Sequence, residues 1–232
     1  MEPNCRKNHR TLRNNTTPIK KSWHDEPLNT SSETSRSKIA REAASLLYFG
    51  LEKEYKQAKV KAGQNLGIQI LPSNLEVALE LDQIAEENEG TNRTQQLIEM
   101  RKEALQIMKA LKEYRPLLIG SVWRGTIRRG SDIDISVYHD EACDVIGSIK
   151  VIGLEISKSE RMTITKHGKI EDSFHIYTHT LTNHPVEITV RNADQAGKKR
   201  KCETFGDEIK GLTISELDKL IMANPSQRFI PS

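Results

Sequence analysis

The feature that most constrains this 232-residue chain is a change in the spacing of its apolar residues at Pro116. Before that proline, apolar side chains recur every three or four residues, which is typical of amphipathic helices. After it, apolar and polar residues alternate in short runs such as 132–138, which is typical of strands with one buried face. Helices first and strands later predict an α+β fold, in which a helical bundle precedes a mixed sheet with flanking helices.

Charge and composition divide the chain into three parts. Residues 1–37 are polar and carry seven Lys or Arg against four Asp or Glu, so we expect a disordered basic arm. We expect a helical region over 38–115 and a second domain over 116–232. The arm accounts for the whole net charge of +3, and the neutral remainder excludes a strongly basic nucleic-acid coat protein.

Three helices are predicted in the helical region. Apolar spacing favours one helix over 38–67, a second over 74–88 and a third over 92–114. Ser73 and Glu76 have the spacing of a capping box at the start of the second helix.

The second domain has the pattern of short strands separated by turns, with two further helices. We expect strands at 117–119, 132–138, 162–165, 173–180 and 185–190, and helices at 140–149 and 213–222.

Two aspartates separated by one residue begin one of these strands. Asp132 and Asp134 point to the same face, while Ile133 points into the core. Adjacent carboxylates repel unless a cation lies between them, and hard oxygen ligands suit Mg²⁺. Gly120 and Ser121 follow the preceding strand, where backbone amides and a hydroxyl can hold a phosphate. Together these features indicate phosphoryl or nucleotidyl transfer.

A third carboxylate would complete such a site. Glu187 lies opposite the apolar positions of its strand, where it could also accept a proton from an attacking hydroxyl. Asp172 is the alternative if the strand register differs.

Basic residues near these motifs could meet phosphate. Arg124, Arg128 and Arg129 lie between the two motifs, and Arg124 is the first choice because it follows Ser121 by about one helical turn. The run 197–201 could grip a nucleic-acid backbone or a triphosphate. Solvated surface charges are the alternative for each of these groups.

Gly-Ser, ten intervening residues and Asp-x-Asp between apolar strands resemble the DNA polymerase beta superfamily of nucleotidyltransferases. The pattern Gly-Ser…Arg-Gly…Ser-Asp-x-Asp is similar to the minimal nucleotidyltransferases. The C-terminal half also resembles uncharacterised archaeal proteins described as predicted nucleotidyltransferases. The resemblance covers roughly residues 116–192.

This resemblance implies transfer of a nucleoside monophosphate, with AMP the expected group, from a nucleoside triphosphate to an acceptor hydroxyl. It implies nucleotide-binding roles for Gly120, Ser121, Arg124 and Arg128, ligation of two Mg²⁺ or Mn²⁺ ions by Asp132, Asp134 and Glu187, and release of pyrophosphate. The expected acceptor is an RNA 3′ end. A protein hydroxyl, as in AMP-transferring antitoxin-like enzymes, and an inactive nucleotide- or RNA-binding module are the alternatives.

Location is predicted from what the chain lacks. No apolar run approaches the roughly 20 residues that cross a bilayer, and residues 1–13 have no apolar segment typical of a signal peptide. Three widely spaced cysteines suit a reducing compartment. We therefore expect a cytoplasmic protein with no membrane partner.

Overall fold

The computed structural model describes residues 29–166 and 169–231, with side chains described over 34–163 and 171–231. Helices come first and a mixed sheet follows, so the predicted α+β architecture is confirmed. The helices are α1 (Asn29–Tyr48), α2 (Tyr55–Leu66), α3 (Asn74–Ala110), α4 (Gly120–Arg124), α5 (Ala142–Val151) and α6 (Ile214–Ala223). The strands are β1 (Leu117–Ile119), β2 (Ile133–Tyr138), β3 (Ile156–Lys166), β4 (Lys169–His179) and β5 (Pro185–Arg191).

The prediction of one helix over 38–67 is wrong, because α1 and α2 are separate helices. The chain leaves α1 at Gly50, whose φ of 70° is left-handed, and the carbonyl of Leu46 accepts from the amides of Leu51 and Glu52. This left-handed glycine ends the helix in the usual way. The apolar period continues across the break because both helices bury alanines in one core.

Helix α1 also begins earlier than expected. Residues 29–37, which we assigned to the disordered arm, are helical, and the rest of that arm lies outside the described residues. Arg36 in this stretch binds Glu76 at the start of α3 through two nitrogens, at 3.2 and 2.9 Å.

Helix α3 contains the second predicted helix and the third as far as Ala110, and a short 3-10 helix follows at Lys112–Tyr114. The two predicted helices meet at Gly90, whose φ of 53° and ψ of −135° interrupt the helical backbone. The capping box is confirmed, since Ser73 Oγ accepts from the Glu76 amide at 3.1 Å and the Glu76 carboxylate accepts from the Ser73 amide at 2.6 Å. Although α3 is long, neither it nor any other helix in the described part of the chain is apolar enough to cross a membrane.

A Glu76→Gln variant should keep the cap and lose the ion pair. The hydrogen-bonded Arg36 guanidinium lowers the pKa of Glu76 from 4.5 to about 2. A carboxyl with a lowered pKa stabilises the fold above its unfolded value and loses this effect as the pH falls. Because both side chains are partly exposed, we expect the melting temperature to drop by only about 2 °C at neutral pH.

The difference in melting temperature between wild type and Glu76→Gln should become smaller as the pH falls from 4.5 to about 2, as measured in thermal unfolding scans. Glu99→Gln, on an exposed part of α3, is the matched control and should leave the melting temperature unchanged. If Glu76→Gln lowers the melting temperature as much at pH 2 as at neutral pH, the ion pair with Arg36 is not the source of the stabilisation.

The five strands form one sheet in the order β1-β2-β5-β4-β3. β2 and β5 are parallel neighbours, whereas the other pairs are antiparallel. One face is apolar and shares a core with α3, α5 and α6. Residues at alternate positions point to the opposite face, where Asp134, Ser136 and Glu187 lie. This polar face positions the site described below.

A buried arginine fixes α4 against α3. The side chain of Arg101 is fully buried and donates to the carbonyls of Val122 and Trp123 in α4, and to those of Pro225 and Gln227 near the C-terminus. Burial lowers its pKa to about 10. Four carbonyl acceptors compensate for burying this charge, so α4 is held rigidly beside the sheet.

Candidate functional site

Three carboxylates converge at one end of the polar face. Asp134 is the second residue of β2, Asp132 directly precedes that strand, and Glu187 lies on β5. The parallel register pairs Asp134 with Glu187. One oxygen from each of the three groups lies within 4.8 Å of the others, a spacing that could hold a metal ion.

Burial and mutual repulsion make these carboxylates difficult to ionise together. Burial raises the pKa of Asp134 well above its usual value, and the charges of Asp132 and Glu187 raise it further. Burial also raises the pKa of Asp132, while Arg128 partly opposes this shift. Such a cluster stabilises bound cations, because a cation removes the repulsion that the fold alone leaves in place.

The alternative carboxylate, Asp172, lies elsewhere. It accepts a hydrogen bond from Thr163 Oγ1 at 2.6 Å on the neighbouring strand and lines a different cavity, beside His139. The structure therefore brings Glu187, and not Asp172, to the two aspartates.

The turn from β1 into α4 touches the carboxylates directly. Ile119 pairs with Asp134 across the antiparallel β1–β2 ladder. Gly120 has a left-handed φ of 70°, and a Cβ built on it would lie 1.8 Å from Asp134 Oδ2. Only glycine allows this approach of backbone and carboxylate. Ser121 follows in α4 and lines the same cavity.

The loop between the two motifs is tied to α3. Arg93 Nε donates to the carbonyl of Ile127 at 2.6 Å, and Glu89 accepts from the amide of Arg129 at 2.8 Å. Ser131 Oγ accepts from the amide of Arg128 at 3.0 Å. The loop thereby holds Arg128 at the cavity wall, close enough to Asp132 to affect its pKa.

Arg124 is engaged within the protein. Its side chain is buried, donates to Asp207 Oδ1 at 2.6 Å and to the carbonyl of Phe229 at 3.0 Å, and lies between the rings of Trp123 and Phe205. Its charge is thus paired with Asp207. A phosphate contact by Arg124 stays a prediction, and in this structure the guanidinium joins α4 to the C-terminal segment.

Sequence reasoning missed a histidine that holds the third carboxylate. His175 Nδ1 is 2.5 Å from Glu187 Oε1, and its Nε2 is 2.8 Å from Ser173 Oγ. Period-two spacing in the sequence places His175, Tyr177 and His179 on one strand face, and this pattern predicts only a stacked or partly buried patch. His175 and Tyr177 do stack, with ring centroids 6.5 Å apart. The contact with Glu187 depends on the β4–β5 register, which local sequence does not specify.

Asp132, Asp134, the glycine turn and the loop between the two motifs enclose a cavity of about 310 Å³ together with residues from the helical bundle. Its bundle side consists of Leu47, Lys53, Tyr55, Ala78, Leu81 and Asp82. Cys202, Thr204 and Phe205 close a further side. Two carboxylates of the cluster, the basic side chain of Arg128 and the glycine turn thus face one space that could hold an anionic ligand with a cation.

Comparison with known proteins relates this site to a domain family. Residues 97–205 match the family model described as a nucleotidyltransferase domain. A solved structure of a cytoplasmic RNA terminal U-transferase is similar at 18% identity and a TM-score of 0.31, over 42% of this chain and 30% of that one. The chain therefore spans less than a third of that protein. No curated protein sequence matches.

Proposed function

We propose that this chain, whose residues 97–205 match a nucleotidyltransferase domain, transfers a nucleoside monophosphate from a nucleoside triphosphate to an acceptor hydroxyl. The observation that carries the proposal is the convergence of Asp132, Asp134 and Glu187 beside the glycine turn at Gly120. Following the resemblance in sequence, we propose AMP as the transferred group, an RNA 3′ end as the acceptor and the cytoplasm as the location.

The donor set fits a hard divalent cation. The three side chains offer only oxygen ligands, burial disfavours their unbalanced charge, and Mg²⁺ and Mn²⁺ prefer such ligands. When bound, the cation would supply the positive charge that stabilises the triphosphate and the attacking oxygen. Asp132, Asp134 and Glu187 would hold it.

The remaining steps belong to groups of this chain. Ser121 and the backbone at Gly120 would orient the triphosphate, and Arg128 would offset its charge. The acceptor oxygen forms a bond to the α-phosphorus, the bond from that phosphorus to the bridging oxygen breaks, and pyrophosphate leaves. Glu187, held by His175, would accept the proton of the acceptor hydroxyl.

One labelling experiment tests the reaction and the acceptor together. The purified chain is incubated with each α-labelled nucleoside triphosphate and Mg²⁺ or Mn²⁺, in the presence of total RNA or of cell protein. We expect label from ATP in RNA, and none with Asp132→Ala. Label in protein would overturn the RNA acceptor in favour of the antitoxin-like reaction. Nucleotide binding without any transfer would favour an inactive module.

A His175→Phe variant should weaken metal binding without unfolding the protein. Phenylalanine retains the ring that stacks on Tyr177 but removes both nitrogens, so Glu187 loses the partner that orients it. Groups that orient metal ligands typically contribute about 10- to 100-fold in metal affinity. We expect a rise of this size in the Kd for Mn²⁺, measured by titration.

His175→Gln is the matched variant, because its amide can still donate to Glu187 and should restore part of the affinity. The KM for the acceptor should stay constant in both variants if His175 acts only as a positioning residue. An unchanged Kd in His175→Phe would contradict this role.

A further inference from the structure

A second cavity, of about 730 Å³, lies at the other end of β2, and six of its sixteen lining residues are cationic. We call it the basic groove and define it by Lys112, Arg115, Lys198, Lys199, Arg200 and Lys210. Among its lining residues the one carboxylate is Glu208. Like charges gathered around one cavity repel each other, so the groove favours an anionic occupant.

The charge of the groove is only partly compensated from within. Lys198 binds Asp194 at 2.6 Å and Lys199 binds Glu208 at 3.1 Å, and both lysines remain well exposed. Within residues 34–163 and 171–231, no carboxylate lies within salt-bridge distance of Arg115, Arg200 or Lys210. The groove therefore presents several cations to solvent along its length.

The groove and the carboxylate cluster share one face of the sheet. Tyr138 lines the groove and follows Asp134 by four residues on β2, so both side chains point to the same side, about 13 Å apart. Between them, Ser136 Oγ lies 3.5 Å from the guanidinium of Arg200. Arg191, paired with Tyr138 in the β2–β5 register, adds a buried Nε without a hydrogen-bond partner among the described residues. The polar face of the sheet thus carries the carboxylate cluster at one end of β2 and the basic groove at the other end.

From this geometry, and resting on the proposed function, we propose that the basic groove binds the phosphodiester backbone of a nucleic-acid acceptor a few nucleotides from its reacting end. Cations spread along an open groove match a chain of single charges better than one compact anion. Lysines that act as point charges hold phosphates without reading bases, so the groove should bind single strands independently of sequence.

The test measures binding separately from catalysis. Arg115→Asn combined with Lys210→Gln removes two uncompensated cations, and asparagine tolerates the left-handed φ of 49° at position 115. The control combines Lys102→Gln with Lys150→Gln, two exposed lysines outside the groove. Fluorescence anisotropy of labelled single-stranded RNA and DNA oligonucleotides is recorded against salt concentration for wild type and both double variants.

We expect the groove variant to bind both oligonucleotides about tenfold more weakly at low salt, and the slope of log affinity against log salt to fall by roughly 1.4 for two lost contacts. The control should match wild type. Equal affinity and slope for groove variant and control would overturn the proposal. So would tighter binding of poly-glutamate than of either oligonucleotide, because the partner would then be an acidic polypeptide.

Transfer assays separate this proposal from the proposed function. A dinucleotide acceptor is too short to reach the groove, so its labelling should be the same in wild type and groove variant, whereas labelling of a longer acceptor should fall. If no protein labels any acceptor but the groove variant still binds oligonucleotides more weakly, nucleic-acid binding by the groove is supported and the proposed transfer reaction is contradicted. If both acceptors are labelled equally by both proteins, the groove proposal fails and the catalytic one stands.

Discussion

An Asp134→Asn variant is expected to lose nucleotide transfer by at least about a thousandfold while gaining thermal stability in the presence of a chelator. Removing one ligand weakens the cation that stabilises the transition state, which contributes several kcal/mol. Thermal stability should increase, because asparagine removes a buried charge that is repelled by the neighbouring carboxylates of Asp132 and Glu187. We expect the melting temperature to rise by about 2–4 °C at neutral pH.

The pH dependence follows from the direction of the pKa shift. Burial and the two neighbouring carboxylates raise the pKa of Asp134 in the folded state above its unfolded value of about 4. Its ionisation therefore destabilises the fold as the pH rises through the folded value, and the variant escapes this loss. The gap in melting temperature between variant and wild type should be largest at neutral pH and vanish below about pH 4. Thermal scans in chelator across this range measure it.

Asp172→Asn is the matched control for this substitution. It makes the same chemical change on the same sheet, at a carboxylate bonded to Thr163 and outside the cluster, so activity and melting temperature should stay close to wild type. Adding Mn²⁺ should raise the melting temperature of wild type and of this control but not of Asp134→Asn. If Asp134→Asn keeps its transfer activity, the carboxylate cluster has no role in the mechanism.

Local patterns in the sequence were sufficient for the parts of the site that depend on one strand or one turn. Period-two spacing placed Asp132 and Asp134 on a common face, and Gly120 and Ser121 were expected directly after β1, where the structure has the turn into α4. Capping-box spacing likewise placed the start of α3 at Ser73. Each of these features is set by neighbouring residues and by backbone sterics.

Parts of the site that depend on long-range pairing were less accessible. Glu187 reaches Asp134 only because β5 pairs in parallel with β2 after α5, β3 and β4 have intervened, and the sequence left Asp172 open as an alternative. His175 was missed for the same reason. A one-residue change of register would turn either side chain to the opposite face, and local propensity does not fix that choice.

Tertiary packing also decided the environment of Arg124. Its spacing from Ser121 suggested a free cation beside phosphate, but Asp207 and the carbonyl of Phe229 come from segments 83 and 105 residues away. Similarly, the spacing of apolar residues does not reveal the break between α1 and α2, because both helices bury residues in one core. Periodicity reports burial and not the continuity of a helix.

Gly120→Ala is expected to lower nucleotide transfer by at least about a hundredfold in a protein that still folds. The left-handed φ of 70° costs alanine about 1 kcal/mol. The larger consequence is steric, because the new Cβ would lie 1.8 Å from Asp134 Oδ2 and 2.7 Å from its Cγ. The short Asp134 side chain must move away, so the carboxylate cluster loses its geometry and the turn loses its space for phosphate. Labelled-nucleotide incorporation and Mn²⁺ titration should both show the loss.

Gly153→Ala separates strain from displacement of the carboxylate. Gly153 has a similar φ of 78° but open space around its Cβ position, so alanine there carries the same backbone strain without a clash. Backbone strain should cost both variants about 1 kcal/mol of stability, and the clash with Asp134 adds to this cost only in Gly120→Ala, which alone should lose transfer and weaken Mn²⁺ binding. Equal activity of the two variants would mean that Asp134 does not need the approach that Gly120 permits, and the role assigned to this turn would fail.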